Sequence, residues 1–232
     1  MAKRLYDIRS KTSRPTGSGR SNPNHAVREH TAHMARPRAN IDTAALADAF
    51  AADGLHGTSS ATLAAATGIA KPTLYVHGES KEALFLRAVE AEVERVLNRL
   101  HAAEAATNGR PARSRATAAV HALLDHAAAR PQGARLLAHT ACHATSAVAP
   151  AVQAALTRIP DHVESGLRRD LEADGLDVAC APFLARALHG AATALSDVRP
   201  GERRPARATL ARLVAALVPE PPTTSATEWP SA

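Results

Sequence analysis

The chain has 232 residues, a mass of 24.2 kDa and a net charge of +6. That length fits one or two compact domains, and the charge makes a polyanion the first partner to consider. Apolar residues are 45% of the chain and aromatic residues 3%, with 55 alanines among them, so the core must come from Leu, Val and close-packed Ala. That composition favours helices over a β-rich fold.

The first apolar stretch of any length follows Ile41 and is broken by Asp42, Asp48 and Asp53, which excludes a signal-peptide core and a membrane span there. Cys142 and Cys180 make no disulfide framework and fit a reducing cytoplasm as small buried hydrophobes.

Residues 1–38 mix Ser, Thr, Pro, Gly and Asn with nine Lys or Arg against Asp7 and Glu29, a net of +7, whereas the rest of the chain is net −1. Such a segment buries too little apolar surface to offset its ordering entropy, so a disordered basic tail is expected over residues 1–35. Met34 opens MARPRANIDTAALADAF, a natural protein start. Two readings follow: a basic arm that grips phosphates, or a mis-assigned translation start.

From Ile41 onward the pattern is helix after helix. Ile41, Ala45, Leu46, Ala49 and Phe50 share a face at helical spacing, and Gly54 marks a stop. Thr58 and Ser59 offer caps for a short helix ending at Gly68. Lys71 to His77 is long enough for about two turns. Ser80 caps a longer helix carrying the stripe Phe85, Val89, Val93, Val96 and Leu100.

Pro111 introduces a helix over about 112–130, stopped by Pro131. Further helices fit 132–143, 149–173, 178–197 and 205–218, and Pro160 is expected to kink or divide the second of these four. The Pro- and Thr-rich end, 219–232, is expected to be unstructured.

The most informative stretch is TSSATLAAATGIAKPTLYVHGESKEAL, residues 58–84. It reads as two short helices joined by a tight turn. Leu63, Ile69 and Leu74 form a mini-core, Ala64 lets the helices approach, and Gly68 supplies a left-handed turn. In such a helix-turn-helix the second helix enters a DNA major groove.

Here the sequence resembles the TetR family of bacterial transcriptional regulators. The carrying residues are Phe50–Ala51–Ala52–Asp53–Gly54, Gly57–Thr58–Ser59, Leu63–Ala64, Gly68–Ile69, Lys71–Pro72–Thr73–Leu74–Tyr75, His77 and Ser80–Lys81–Glu82–Ala83–Leu84, about 45 residues in all. The resemblance implies an all-α protein. An amino-terminal three-helix DNA-binding head (36–86) would precede a larger helical domain for ligand binding and dimerisation (87–218).

It further implies that Lys71, Pro72, Thr73, Tyr75 and His77 form the DNA-facing surface. Thr58 and Ser59 would present a helix N-terminus to a phosphate, and Lys81 would do the same one helix later. Two positions depart from the family pattern. Gly78 stands where an aromatic ring is usual, which predicts a looser end to the recognition helix. Ile41 lies nine residues before Phe50 rather than eight, which shifts the register of the first helix and of Arg36 and Arg38. Residues 39–86 are also net −3, an unusual balance for a DNA-binding head.

Residues 87–218 hold no catalytic signature, so no enzyme activity and no cofactor are expected. His139 and His143 are one helical turn apart and could share a metal; ordinary helix content is the other reading, and no metal is expected. Leu184, Leu188, Ala191 and Leu195, with small Ala187, Gly190 and Ala194, and the last helix with Leu210, Leu213, Val214, Leu217 and Val218, suggest a four-helix homodimer interface through 178–197 and 205–218. An intrachain core is the alternative.

The resulting expectation is a cytoplasmic, homodimeric repressor released from a palindromic operator by a small molecule bound among the helices of 100–175. The helix from Ser80 to about Leu100 would act as the lever. An activator or a nonspecific DNA binder is the alternative, with a small-molecule-binding or enzymatic helical protein behind it.

Overall fold

The computed structural model describes residues 41–75, 80–140, 147–195 and 198–220. The tails, His77, Gly78, Cys142 and His143 lie outside the described residues. Nine α-helices are described: α1 (Thr43–Gly57), α2 (Ser60–Thr67), α3 (Lys71–Leu74), α4 (Lys81–Ala106), α5 (Ala112–Ala129), α6 (Pro131–Thr140), α7 (Ala149–Ala173), α8 (Ala181–Ala194) and α9 (Arg203–Leu217). A single 3-10 turn, Pro200–Glu202, leads into α9. The fold is all-α, and among the described residues no helix is long and apolar enough to cross a membrane.

Helix α1 begins two residues later than its apolar pattern suggests. Asp42 is the cap, its Oδ1 accepting from the backbone N–H groups of Ala44 and Ala45 at 2.8 and 3.2 Å. Ile41 therefore sits outside the helix, buried, at the position from which a hydrophobic staple meets the fourth helical residue, Leu46. The extra residue before Phe50 is absorbed ahead of the helix, and the buried face runs through Leu46, Ala47, Phe50 and Ala51. Gly54, at φ 67°, breaks the helical backbone where a stop was predicted, and one further turn follows.

Helix α4 is the spine. Ser80 Oγ accepts from Ala83 N at 3.2 Å, and the stripe Phe85, Val89, Val93, Val96 and Leu100 is buried throughout. α4 packs against α1 and α6 at one end and against α5 and α7 along its length, while α8 lies on α7 and α9 on α5. Phe50 of α1 meets Phe85 of α4 edge-to-face, with ring centroids 5.1 Å apart. The described residues form one compact unit.

Two expectations about the larger part need correction. α7 runs undivided through Pro160. The lost backbone N–H costs one hydrogen bond, while Val152, Ala155 and Ile159 before the proline and Val163 and Leu167 after it hold both halves in one core. The leucine stripe of α8 also faces inward: Leu184 and Leu188 are buried within the chain, as are Leu210, Val214 and Val218 at and after α9. The outward face of α8 is a different set, Phe183, Ala187, Gly190 and Ala194, and Phe183 is 71% exposed. Cys180 is half-buried, its thiol donating to the carbonyl of Asp177 at 3.2 Å.

Candidate DNA-binding face and its link to the helical body

Helices α2 and α3 are short, so their mutual placement depends on a few anchors. Ser59 caps α2, its Oγ accepting from Thr62 N at 3.0 Å. Gly68 ends it in the left-handed region at φ 67°, where a Cβ would be strained. Leu63 and Leu74 are fully buried beneath the pair, with Ile69 partly so. The Tyr75 hydroxyl closes the angle between the helices by bonding to Ser60 Oγ at 2.8 Å. α3 is one turn, Lys71–Leu74, with Pro72 near its start, where a missing N–H costs nothing.

The residues singled out from the sequence fall into two groups. Lys71, Pro72 and Thr73 are exposed side by side on α3, with Tyr75 half-buried at its end and Ser59 exposed at the start of α2. Thr58 and Lys81 do something else. Thr58 is 1% exposed; its hydroxyl donates to the carbonyl of Gly54 at 2.6 Å and its backbone N–H to the same oxygen at 3.2 Å. With both donors used inside the chain, Thr58 has none left for a phosphate. Its role is to close the kink after Gly54.

Lys81 reaches back 25 and 23 residues to the carbonyls of His56 and Thr58, at 3.4 and 3.2 Å. Its ammonium satisfies backbone acceptors that the kink frees, and so pins the start of α4 to the α1–α2 turn.

A buried charge cluster, invisible in the sequence patterns, ties α1 to the rest. Glu92 on α4 is fully buried. Arg95 Nη1 donates to its Oε2 at 2.7 Å, Arg130 Nε to both oxygens at 3.0 and 3.2 Å, and His126 Nε2 lies 3.0 Å from Oε1. Burial alone would push this carboxyl up, but the contacts from His126 and Arg130 and the charge on Arg130 outweigh it and hold it at about 2. The same arginines continue to α1: Arg95 Nη2 donates to Thr43 Oγ1 at 2.7 Å, and Arg130 Nη2 to Asp48 Oδ1 at 3.3 Å.

Gly133 on α6 lies directly over Glu92, so close that a Cβ there would fall 2.2 Å from Oε1.

Two cavities flank α6. One, about 310 Å³, lies in the body among α4 to α8, lined by Val96, Leu123, Leu137, Leu156 and Ile159 with His126 and His189. Burial pushes His189 down, so its imidazole is neutral at pH 7, and its Nδ1, like that of His126, is covered and without a hydrogen-bond partner. The other, about 300 Å³, lies between α1 and α6, lined by Phe50, Leu55, Phe85, Leu136, His139 and Thr140. Ala134, Leu137 and Ala138 thus face one cavity and Leu136, His139 and Thr140 the other. α6 is a wall with space on both sides.

A family model described as bacterial regulatory proteins, tetR family, matches residues 43–88, from the first turn of α1 into α4. No curated protein matches the sequence. Among solved structures, a TetR-like transcriptional regulator from Rhodococcus sp. RHA1 is 26% identical, covering 74% of this chain and 90% of that one, at a TM-score of 0.58. The transcriptional regulator FadR from Bacillus subtilis, solved with stearoyl-CoA, shares 13% identity over 76% of this chain and 97% of its own, at a TM-score of 0.62. AibR, solved with isovaleryl coenzyme A and operator DNA, shares 19% over 77% of this chain and 98% of its own, at 0.56. The last two bear on the fold alone. Residues 43–88 thus carry the amino-terminal domain of the bacterial tetR-family regulatory proteins, and the chain as a whole has the all-α fold of these TetR-like transcriptional regulators.

Proposed function

We propose that the protein is a homodimeric repressor whose operator binding is relieved by a small molecule, with Ser59, Lys71, Pro72, Thr73 and Tyr75 forming the DNA-facing surface. Head (36–86) and body (87–218) then meet within α4, and the protein acts on DNA in the cytoplasm. The observation that carries the reading is the α6 wall. An effector filling the body cavity displaces α6 toward the second cavity and α1, whose far end the Glu92 cluster already grips. Coupling of about 1–3 kcal/mol suffices to change operator affinity about 5- to 150-fold.

The effector is a small, mostly apolar molecule with one or two polar atoms for His126 and His189. Because FadR and AibR were solved with acyl-coenzyme A molecules, short acyl thioesters are the first compounds to screen. The outward stripe of α8, Phe183, Ala187, Gly190 and Ala194, with Leu217 of α9 37% exposed, supports a face-to-face dimer through α8 and α9. Two recognition helices related by a two-fold axis then read a near-palindromic site.

The test is selection of bound sequences from a random DNA pool, followed by gel shifts. Enrichment of a palindrome, its loss in the Lys71→Ala/Thr73→Ala variant, and a monomeric Phe183→Glu variant in light scattering are the expected results. Tyr75 is the poorer probe, because its bond to Ser60 makes it structural as well. Binding that falls steeply with salt but enriches no sequence identifies a nonspecific binder instead. A reporter switched on by the protein identifies an activator.

A further inference from the structure

Away from the DNA-facing helices and both cavities that flank α6, two helices bring together three metal-binding side chains. α4 carries His101 and Glu104 three residues apart on one face, and α7 sets His162 opposite them. One ligand atom from each lies within 4.8 Å of the other two, which puts all three within reach of one ion. The imidazoles meet edge-on, centroids 4.6 Å apart.

His162 Nε2 stands 3.0 Å from Glu104 Oε1 but approaches too obliquely to hydrogen-bond, and the nitrogen is sealed from solvent without another partner. A nitrogen and an oxygen bound to one cation at about 2.0–2.2 Å are themselves roughly 3–4 Å apart, so that separation suits shared coordination. Gly166 keeps the place open: a Cβ there would come within 3.2 Å of Oε1.

We propose that His101, Glu104 and His162 bind a divalent cation of the zinc, cobalt or nickel class. Two imidazoles and one carboxylate are borderline ligands that favour these ions over magnesium or calcium, and three protein ligands leave a position for water. The competing charge is Arg169, whose Nη2 lies 3.5 Å from Glu104 Oε1. Its side chain is 63% exposed and can leave for solvent when the cation arrives. The ion cross-links α4 to α7 near the carboxy-terminal end of α4. The site was not legible in the sequence, where residues 101 and 162 are far apart and each His reads as ordinary helix content.

The experiment is titration of the untagged full chain with Zn²⁺ by calorimetry, repeated with Co²⁺ while recording its visible absorption. One high-affinity site per chain and a rise in melting temperature with Zn²⁺ are expected. His101→Ala, at an exposed position, and His162→Gln should each weaken that site by at least about 10- to 100-fold, the range that even outer-shell partners produce. Arg169→Ala should tighten it. The proposal is overturned if no such site is found, or if it survives intact in both histidine variants, which would place the metal on other histidines. Circular dichroism of each variant separates lost binding from lost folding.

Discussion

Helices α2 and α3 and the Glu92 cluster belong to one compact unit, yet they use polar groups in opposite ways. From Ser59 to Tyr75 the chain has a single charge, Lys71, and its exposed side chains on α3 are held by a thin core of Leu63 and Leu74. At Glu92 a full negative charge is buried and surrounded by Arg95, Arg130 and His126. The first arrangement leaves donors free for a partner. The second turns its arginines inward, onto Glu92, Thr43 and Asp48, and so ties α1 to α4 and α5. A regulator needs both: a surface with spare valence, and a joint that holds.

The sharpest way to break that contrast is Glu92→Ala. Three cationic or polar partners would lose their acceptor in a buried site, and a loss of about 3–5 kcal/mol in urea unfolding is expected. Acid is a milder version. Because the folded Glu92 carboxyl titrates at about 2 rather than the usual 4.5, its contribution, roughly 3 kcal/mol, is fully present above pH 5. It drains away as pH falls through the window from 4.5 to 2, and a stability–pH profile that stays flat there in the wild type would contradict the assignment.

Gly133→Ala comes next. On an ordinary helix this change stabilises by up to about 1 kcal/mol, but here the new methyl meets a carboxylate that cannot move, so a loss of about 1–3 kcal/mol is expected. Combined with Glu92→Ala, which vacates the space, the glycine substitution should recover much of its loss, a double-mutant coupling that calorimetry can read. The smallest effect belongs to the exposed face. Ser59→Ala removes the α2 cap and should cost about 1 kcal/mol, with DNA affinity falling beyond what thermal unfolding explains if Ser59 also meets a phosphate.

Much of this was legible in the residues. The α4 stripe, the Ser80 cap, the left-handed Gly68 and the Leu63–Leu74 mini-core follow from spacing and local chemistry, and they appear where expected. Thr58 and Lys81 have a structural part that the motif alone does not show, because both answer to Gly54. That residue's conformation turns Thr58 inward and frees the carbonyls that Lys81 reaches from 25 and 23 residues away. Glu92 stands between Val89 and Val93, and the α4 stripe says nothing of it. Its burial is decided by His126 and Arg130 on a different helix, and no pattern within α4 announces it. The leucines of α8 were placed on the right helix but the wrong side, since period alone cannot say which apolar stripe meets its own chain.

The scarcity of charge along α2 and α3 bears on how the protein finds its operator. Each cation that neutralises a phosphate strengthens binding to every stretch of the genome alike, and ties that binding to ionic strength. A face with one lysine has little of this indiscriminate hold. If α2 and α3 are the DNA-facing surface, as proposed above, and the basic residues 1–38 make no phosphate contact, residence on random DNA is short and fewer copies are lost to the vast excess of wrong sites. Such a reader trades raw affinity for an uncluttered search.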